Sequence, residues 1–438
     1  MREVELLYNS VMVNSMEKLV SLCKRRGFVF PGSDIYGGLS NSWDYGPLGV
    51  ELKNNIKNLW WDKFVRRRDD MVGIDAALIM NPKVWEASGH LKNFSDPLIE
   101  CKKCKRRFRE DTISEKCPEC DGELSKARQF NLMFKTFIGP TEDGSNIAYF
   151  RPETAQAMFV DFKNVLDTTR RKLPFGIAQI GKAFRNEITP GNFIFRTREF
   201  EQMEIEYFIR EEEWKKSFEY WREEMINWIK FLGIDIEKIH ELEIPEKDRA
   251  HYSKRTIDFE YEFPFEKAEL YGLAYRTDFD LKNHFKEPPY KDQETGEEFY
   301  PHVIEPTFGV DRSILAVLSE AYTEEGERVV LKLKPLLAPY KVAIFPLLAN
   351  KPELVEKARR LYDELRKNFT AVFDDRGNIG KRYYSQDEIG TPWCVTVDFE
   401  TLENNTVTVR DRDSATQERI EIEKLKDYFQ NELQKNNT

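Results

Sequence analysis

Four of the six cysteines form two matched pairs, Cys101-x2-Cys104 and Cys117-x2-Cys120, with twelve residues between them. That spacing lets four thiolates close a tetrahedron around one Zn2+, as in a zinc ribbon or knuckle. A closed sphere leaves no position for water, so the expected role of the metal is structural. A redox Cys-x-x-Cys occurs singly, and structural disulfides are not expected in a cytoplasmic chain. Cys23 and Cys394 are isolated and read as small buried hydrophobes. The cysteine module also carries a basic cluster, Lys102, Lys103, Lys105, Arg106, Arg107 and Arg109. Such a cluster suits either a phosphate or a solvated turn face.

A second group of chemistry-bearing residues lies between positions 176 and 208. Gly176 to Lys182 imitates the start of a P-loop, but Ala183 stands where a Ser or Thr hydroxyl must meet magnesium, and the segment reads as continuous strand. Phe184–Ile188 and Phe195–Phe208 then read as two strands joined by the turn Thr189-Pro190-Gly191-Asn192. Alternation along a strand puts Arg185 and Glu187 on one face of the first run. In the second it puts Arg196, Arg198, Phe200, Gln202, Glu204 and Glu206 on one face and Met203, Ile205 and Tyr207 on the other. A polar face of this kind suits solvent, or equally phosphates, a stacked base and a ligand ammonium. The third segment is Glu305-Pro-Thr-Phe-Gly-Val-Asp-Arg312, followed by an apolar helix. Arg312 falls in its first turn, beside the positive end of the dipole, either as an anion ligand or as an exposed residue of the helix cap.

These segments need a scaffold, and the rest of the sequence supplies one. Leu48–Arg68 reads as a long helix, Met71–Met80 as an apolar strand ending at Asn81-Pro82, and Glu211–Leu232 as a second helix whose Trp214, Trp221 and Trp228 form a core stripe. Residues 286–300 are rich in proline and charge and read as an exposed loop. From about Tyr340 onward strands and helices alternate, which suggests a separate α/β domain. With 438 residues, 40% hydrophobic, 33% charged and 13% aromatic, the chain is long enough for two or three packed domains. No apolar run approaches the roughly 18 residues of a membrane span, and the N-terminal segment lacks the apolar core of a signal peptide. A cytoplasmic location is therefore expected. The net charge of −10 speaks against indiscriminate coating of nucleic acid.

Taken together, the three segments resemble the three motifs of class II aminoacyl-tRNA synthetases, and within them the homodimeric glycyl type. The strings GFVFPGSDIYGGLSNSWDYGPLGVELKNN, YFRPETAQ, FRNEITPGNFIFRTREFEQMEIEYF, RTDFDL, EPTFGVDR and GKRYYSQDEIGTPWCVT carry the likeness over nearly the whole chain. The resemblance implies an α+β catalytic domain, a mainly antiparallel sheet flanked by helices, over residues 1–340. It also implies a zinc-ribbon-like insertion at 98–127, a helical insertion at 209–260, and a C-terminal α/β anticodon-binding domain over 341–438. Residues 1–15 lie outside the family pattern, which makes Met16 the expected native start.

The same resemblance assigns roles. Arg185 would hold the α-phosphate of ATP, Arg312 the γ-phosphate and Glu187 the adenine amino group, while Phe200 would stack on the base. Glu269 would meet ATP through Mg2+, so that Arg185, Arg312 and Glu269 form the catalytic set. Asn186, Phe195, Arg196, Thr197, Arg198, Glu199, Leu270, Gly309, Val310 and Asp311 would complete the nucleotide site. The ammonium of glycine would be met by Glu153, Glu204 and Glu305, with the hydroxyl of Thr307 and with Arg109. Phe200, Glu201, Gln202, Met203, Pro306, Phe308 and Gly309 would lie around it. The implied partners are ATP, glycine, tRNA(Gly) and a second copy of the chain, without a membrane, and the implied metals are Mg2+ with ATP and structural Zn2+ on Cys101, Cys104, Cys117 and Cys120. Neither activation nor transfer calls for a protein nucleophile, so the five histidines have no obligatory part, although His90 borders the site by motif. A non-catalytic nucleic-acid-binding relative on the same scaffold is the alternative, but it would be expected to lose the motif arginines that this chain keeps.

Overall fold

The computed structural model describes residues 15–110, 113–142 and 144–435. The first 14 residues, on which most of the expectation about the native start rests, lie outside them. The organising element is a seven-stranded sheet. Its order is Ile239–Glu243, Arg255–Glu262, Lys267–Thr277, His302–Gly309, Glu199–Ile209, Phe175–Phe184 and Met71–Gly73. Every neighbouring pair is antiparallel except the last, where Met71–Gly73 runs parallel to Phe175–Phe184.

One face of this sheet is covered by aromatic helices. In Trp214–Leu232 the residues Phe218, Trp221, Met225, Trp228, Ile229 and Leu232 are buried, at the three- and four-residue steps of an amphipathic helix. Gly233 ends the helix in the left-handed region (φ 83°), its amide returning to the Ile229 and Lys230 carbonyls. Trp221 meets Tyr207 edge-on at 5.3 Å, and Phe64 lies 5.8 Å from Trp228 and 5.5 Å from Phe308. The helix Pro47–Trp61, opened by proline at its first position, adds Leu52, Ile56 and Trp60 to the same core.

Five readings are corrected. The 209–260 segment is not an inserted helical module, because its tryptophan stripe is the cover of the main sheet and its last two strands belong to that sheet. Met71–Met80 is not one strand. At Gly73 a Cβ would lie 2.2 Å from the Trp61 ring, and beyond it the chain leaves the sheet. There the Ala76 amide donates to the Gln179 side chain (2.9 Å) and its carbonyl accepts from Arg151 (3.0 Å), so side chains replace the ladder. The ladder between the next two strands runs from Phe175↔Phe208 to Phe184↔Glu199, which leaves 185–198 as a connecting loop. That loop folds inward because Phe193, Ile194 and Phe195 are buried, so Arg196 and Arg198 do not alternate with Phe200. Finally, the 286–300 loop contains a short hairpin, Tyr290–Lys291 against Glu298–Phe299. The helix expected over Leu48–Arg68 runs to Trp61 and continues as a wider turn over Asp62–Arg66.

The C-terminal residues build a second sheet ordered Ala371–Phe373, Val342–Pro346, Trp393–Val397, Thr406–Asp411 and Gln417–Glu421. The first three strands are parallel and the last two antiparallel. Leu354, Ala358, Leu361 and Leu365 of the helix Pro352–Leu365 pack on it. The fully buried Asp387 ties this part to the first: Arg410 grips it at 2.9 and 3.1 Å, and Arg328 reaches it at 2.8 Å.

Truncating Trp228 to alanine removes the centre of the aromatic layer. Chemical unfolding of this variant is expected to show a loss of about 3–5 kcal/mol, and a loss under about 1 kcal/mol would contradict the packing described.

Candidate active site

The face of the sheet opposite the aromatic helices is polar, and strand alternation makes it so. Register sets Gln179, Glu204, Thr307 and Gly272 in one row across four strands. In the next row Ile177 pairs with Glu206 and Ala274 with Glu305. Of these residues Glu204, Thr307, Gly272, Ala274 and Glu305 floor a cleft of about 520 Å³.

At its base lies Arg276, only 1% exposed. Its Nε and Nη2 donate to Asp280 at 2.8 and 2.9 Å, Nη1 donates to Glu305, and Nη2 stands 3.8 Å from Glu153. The guanidinium also stacks 3.7 Å from the centroid of the Tyr252 ring. Asp280 comes from the short helix Phe279–His284 that follows the strand, four residues beyond Arg276. Glu153 is held from its other side by His90 (3.3 Å), itself fixed by Ser88 (2.8 Å), and by the amide of Gln156 (3.1 Å). Burial alone would raise the Glu153 carboxyl, but His90, Arg276 and Gln156 hold it well below the usual carboxylate range.

The other carboxylates behave differently. Glu204 accepts from the hydroxyls of Thr154 and, at 3.0 Å, Thr307, yet burial and the neighbouring Glu153 raise it. Burial pushes Glu305 up to about 8 against the pull of Arg276, with Glu204 and Glu153 adding to the rise. Glu204, Glu206 and Glu305 each bring an oxygen within 4.8 Å of the others. Three acidic groups therefore converge where a small cation would find several acceptors.

Further along the cleft, Arg185 donates to the Pro152 carbonyl (3.0 Å) and lies 5.3 Å from the rings of both Phe94 and Phe200. Arg312 sits in the first turn of the helix Val310–Ala321. It pairs with the Glu269 carboxylate at 2.9 Å, donates to the Glu269 carbonyl at 2.8 Å, and covers the Phe195 ring at 4.4 Å. Arg312 holds Glu269 ionised, while burial, followed by the charge of Glu269, pushes Asp258 up to about 7. Two arginines, a half-buried aromatic ring and a carboxylate pair thus line one elongated space, an arrangement suited to a polyphosphate and a flat base. The pair Glu269 and Asp258 is an all-oxygen donor set of the kind that hard divalent cations take.

Of the residues named by motif, Arg109, Glu153, Arg185, Glu187, Phe195, Arg196, Thr197, Phe200, Glu201, Gln202, Glu204, Glu269, Leu270, Glu305, Thr307, Gly309, Asp311 and Arg312 line this cleft. Glu201 and Asp311 already have cationic neighbours there: Lys53 and Lys57 stand 2.8 and 2.9 Å from Glu201, and Lys53 is 3.8 Å from Asp311. Met203, Phe308 and Val310 turn the other way into the aromatic core, and Pro306 shares the strand face of Phe308, because neighbouring strand positions alternate. Asn186, Arg198 and Glu199 line a second cavity of about 1010 Å³ beside Trp43 and Tyr45. Arg276, Asp280, Gln156, Thr154 and Tyr252 were not singled out from sequence. For Arg276 and Asp280 the signal was the RTDFDL string, in which these two residues stand four apart; Tyr252 carried none.

The four cysteine sulfurs lie within 4.8 Å of one another, Cys101 against Cys120 and Cys104 against Cys117 at 3.6 Å each. The amide of Cys104 donates to the Cys101 sulfur at 3.4 Å, and such amide donors draw the Cys101 thiol down to about 6. The donor set and its closeness fit one tetrahedral zinc ion. Within the basic cluster, Lys102 pairs with Glu123 (2.7 Å), Arg106 with Glu119 (2.6 Å) and Arg107 with Glu100 (3.1 Å), which favours a solvated face. Arg109 instead turns into the cleft and meets Asp96 at 3.1 Å.

Comparison with known proteins agrees with this layout. Residues 137–321 match the tRNA synthetase class II core domain (G, H, P, S and T), and residues 341–432 match an anticodon binding domain. The glycine–tRNA ligase of Alkaliphilus oremlandii is 52% identical, across 96% of this chain and 98% of its own length. Those of Geobacillus thermodenitrificans and Caldanaerobacter subterraneus are 51% and 50% identical, each across 96% of this chain and 98% of the relative.

Replacing Arg276 by methionine leaves Asp280, Glu305 and Glu153 without their buried cation. Urea unfolding is expected to show a loss of about 3–5 kcal/mol, the usual cost of breaking a buried ion pair from one side. Unchanged stability would show that the carboxylates do not depend on it.

Proposed function

We propose, from the premise that this chain belongs to the glycine–tRNA ligase family of class II synthetases, that the cleft activates glycine with ATP and passes it to the 3′ end of tRNA(Gly). The observation that carries the reading is the junction of two subsites in one cleft: a carboxylate-lined seat for a small ammonium beside an arginine-lined channel for a nucleotide. Residues 1–340 would form the catalytic part, with the 98–127 zinc module on its rim, and 341–438 the part that reads the anticodon end.

The residues divide the work as follows. Phe200 stacks on adenine and Glu187 accepts from its amino group. Arg185 holds the α-phosphate and Arg312 the γ-phosphate, so the glycine carboxylate can attack the α-phosphorus in line while pyrophosphate leaves towards Arg312. Their charges stabilise the transition state without a covalent intermediate on the protein. The terminal ribose hydroxyl of tRNA then attacks the mixed anhydride. Mg2+, held by Glu269 with Asp258 beside it, supplies charge neutralisation to the phosphates when bound. Glycine offers no side chain to grip. A methyl group merely accommodated in a loose pocket is worth only about 1–3 kcal/mol, so rejection of alanine requires walls that do not yield. The tightly bonded floor of Glu153, Glu204, Thr307 and Arg276 has that character.

Zn2+ on the four cysteines would hold the module that delivers Arg109 to the rim. Homodimer formation in the cytoplasm completes the reading; the exposed Leu39 and Val50 offer apolar surface at the second cavity, and Ile35 and Tyr36 add more in the turn Asp34–Tyr36.

The direct test is amino-acid-dependent exchange of pyrophosphate into ATP with glycine, alanine, serine, proline and threonine. Exchange is expected with glycine and to be lost in Arg185→Ala while the fold is kept; none with glycine sinks the assignment. A pH series checks the seat. Glu305 must give up its proton to receive an ammonium, so KM for glycine should fall as pH rises from 6.5 towards 8, by up to about tenfold per unit, and then level off. A flat profile contradicts the placing of Glu305. Metal analysis of the purified protein should find about one zinc per chain, and a folded chain without zinc would give the cysteines another role.

A further inference from the structure

Glu206 is fully buried, and among the described residues no N–H or O–H reaches either of its carboxyl oxygens. It lies just behind the cleft lining, two residues along the Glu199–Ile209 strand from Glu204 and therefore on the same face, with an oxygen within 4.8 Å of Glu204 and Glu305. The printed register pairs Glu204 with Thr307 and Tyr207 with Ile304, so Glu206 stands beside Glu305 on the neighbouring strand. Two ionised carboxylates opposite one another in a sheet repel, and burial makes that repulsion severe. Among the described residues the cation that acts on it is Arg276, which already serves Asp280, Glu305 and Glu153. Every other charged group facing Glu206 is acidic: Glu204, Glu305 and Asp280. On the side of Phe175–Phe184 it meets Ile177, which offers nothing polar.

We propose that Glu206 is a positioning residue of the amino-acid seat, a carboxylic acid that keeps its hydrogen and donates it to Glu305, thereby aiming the Glu305 carboxylate at the incoming ammonium. The inference rests on the glycine-activating reading above and names a residue which that reading leaves out. A hydrogen on Glu206 removes the like-charge contact and gives Glu305 a second donor beside Arg276. With Arg276 on one Glu305 oxygen and Glu206 beside it, the side chain is held from two directions and cannot swing to follow a larger amino acid. Glu206 itself touches no reacting atom. Burial and the Glu305 charge, which raise its carboxyl well above the usual range, agree with this state.

The test uses the full chain with Glu206→Gln and Glu206→Leu. Gln keeps a donor and loses the acid; Leu loses both. In pyrophosphate exchange, Glu206→Gln should retain the KM for glycine within about threefold, whereas Glu206→Leu should raise it about tenfold or more with the KM for ATP unchanged, the scale of one lost bond to a charged group. Infrared difference spectra of wild type against Glu206→Gln at neutral pH should contain the carbonyl band of a protonated carboxylic acid. A Gln variant as impaired as Leu, a Leu variant with wild-type KM, or a spectrum holding only carboxylate bands would overturn the proposal. If Glu206→Leu does not fold, the Gln variant and the infrared band decide alone. Wild-type exchange with glycine separates the two levels: its absence defeats the activation reading, while the infrared result still judges the state of Glu206.

Discussion

The structure turns on one buried cation. Arg276 lies under the floor of the cleft with Asp280, Glu305 and Glu153 around it, and without it the convergence of so many carboxylates would be prohibitively unfavourable. Desolvated acids are tolerated only when paired, hydrogen bonded or protonated. Within a few ångströms Glu153 is paired and held ionised, Glu204 is hydrogen bonded by two hydroxyls, and Glu305, though paired with Arg276, is pushed up to about 8 by burial. The seat is thus preorganised for an ammonium, which would replace protons and complete the charge balance.

The rest of the fold keeps that arrangement rigid. Strands bearing Glu204, Glu305 and Arg276 are neighbours in one sheet, so their relative positions are set by ladder hydrogen bonds rather than by loops. The aromatic layer of Phe64, Trp221, Trp228 and Phe308 fills the opposite face, and any slip of register would carry charged groups into it. Behind the arginine-lined channel, the buried Phe193, Ile194 and Phe195 anchor the loop that presents Arg196 and Thr197. Asp387, gripped by Arg410 of its own sheet, is reached by Arg328 and so joins the C-terminal part to the first.

How much of this could be read from sequence depended on the range of the interaction. The alternation of Met203, Ile205 and Tyr207 with Gln202, Glu204 and Glu206 is a local pattern, and the strand follows it. The cysteine spacing and the strand and helix alternation after Tyr340 were legible for the same reason. Met71–Met80 misled because its apolar composition suits a strand, whereas its path is set by the Trp61 ring against Gly73 and by bonds from Ala76 to Arg151 and Gln179, 75 and 103 residues away. The loop 185–198 misled because the burial of Phe193 and Ile194 outweighs its strand propensity. Arg276 was visible only inside a motif string: nothing local distinguishes it from a surface arginine, and its role exists only once Glu153, Asp280 and Glu305 are brought around it. Motif position likewise could not tell that Met203 and Phe308 serve the core beneath the cleft.

The most direct measurement is a crystal structure with a stable glycyl-adenylate analogue bound. The account places its ammonium within about 3.2 Å of carboxyl oxygens of Glu153, Glu204 and Glu305, with the adenine on Phe200 and the phosphate mimic at Arg185. An analogue whose ammonium lies outside these three residues, leaving the carboxyls bonded only to Arg276 and one another, would contradict it.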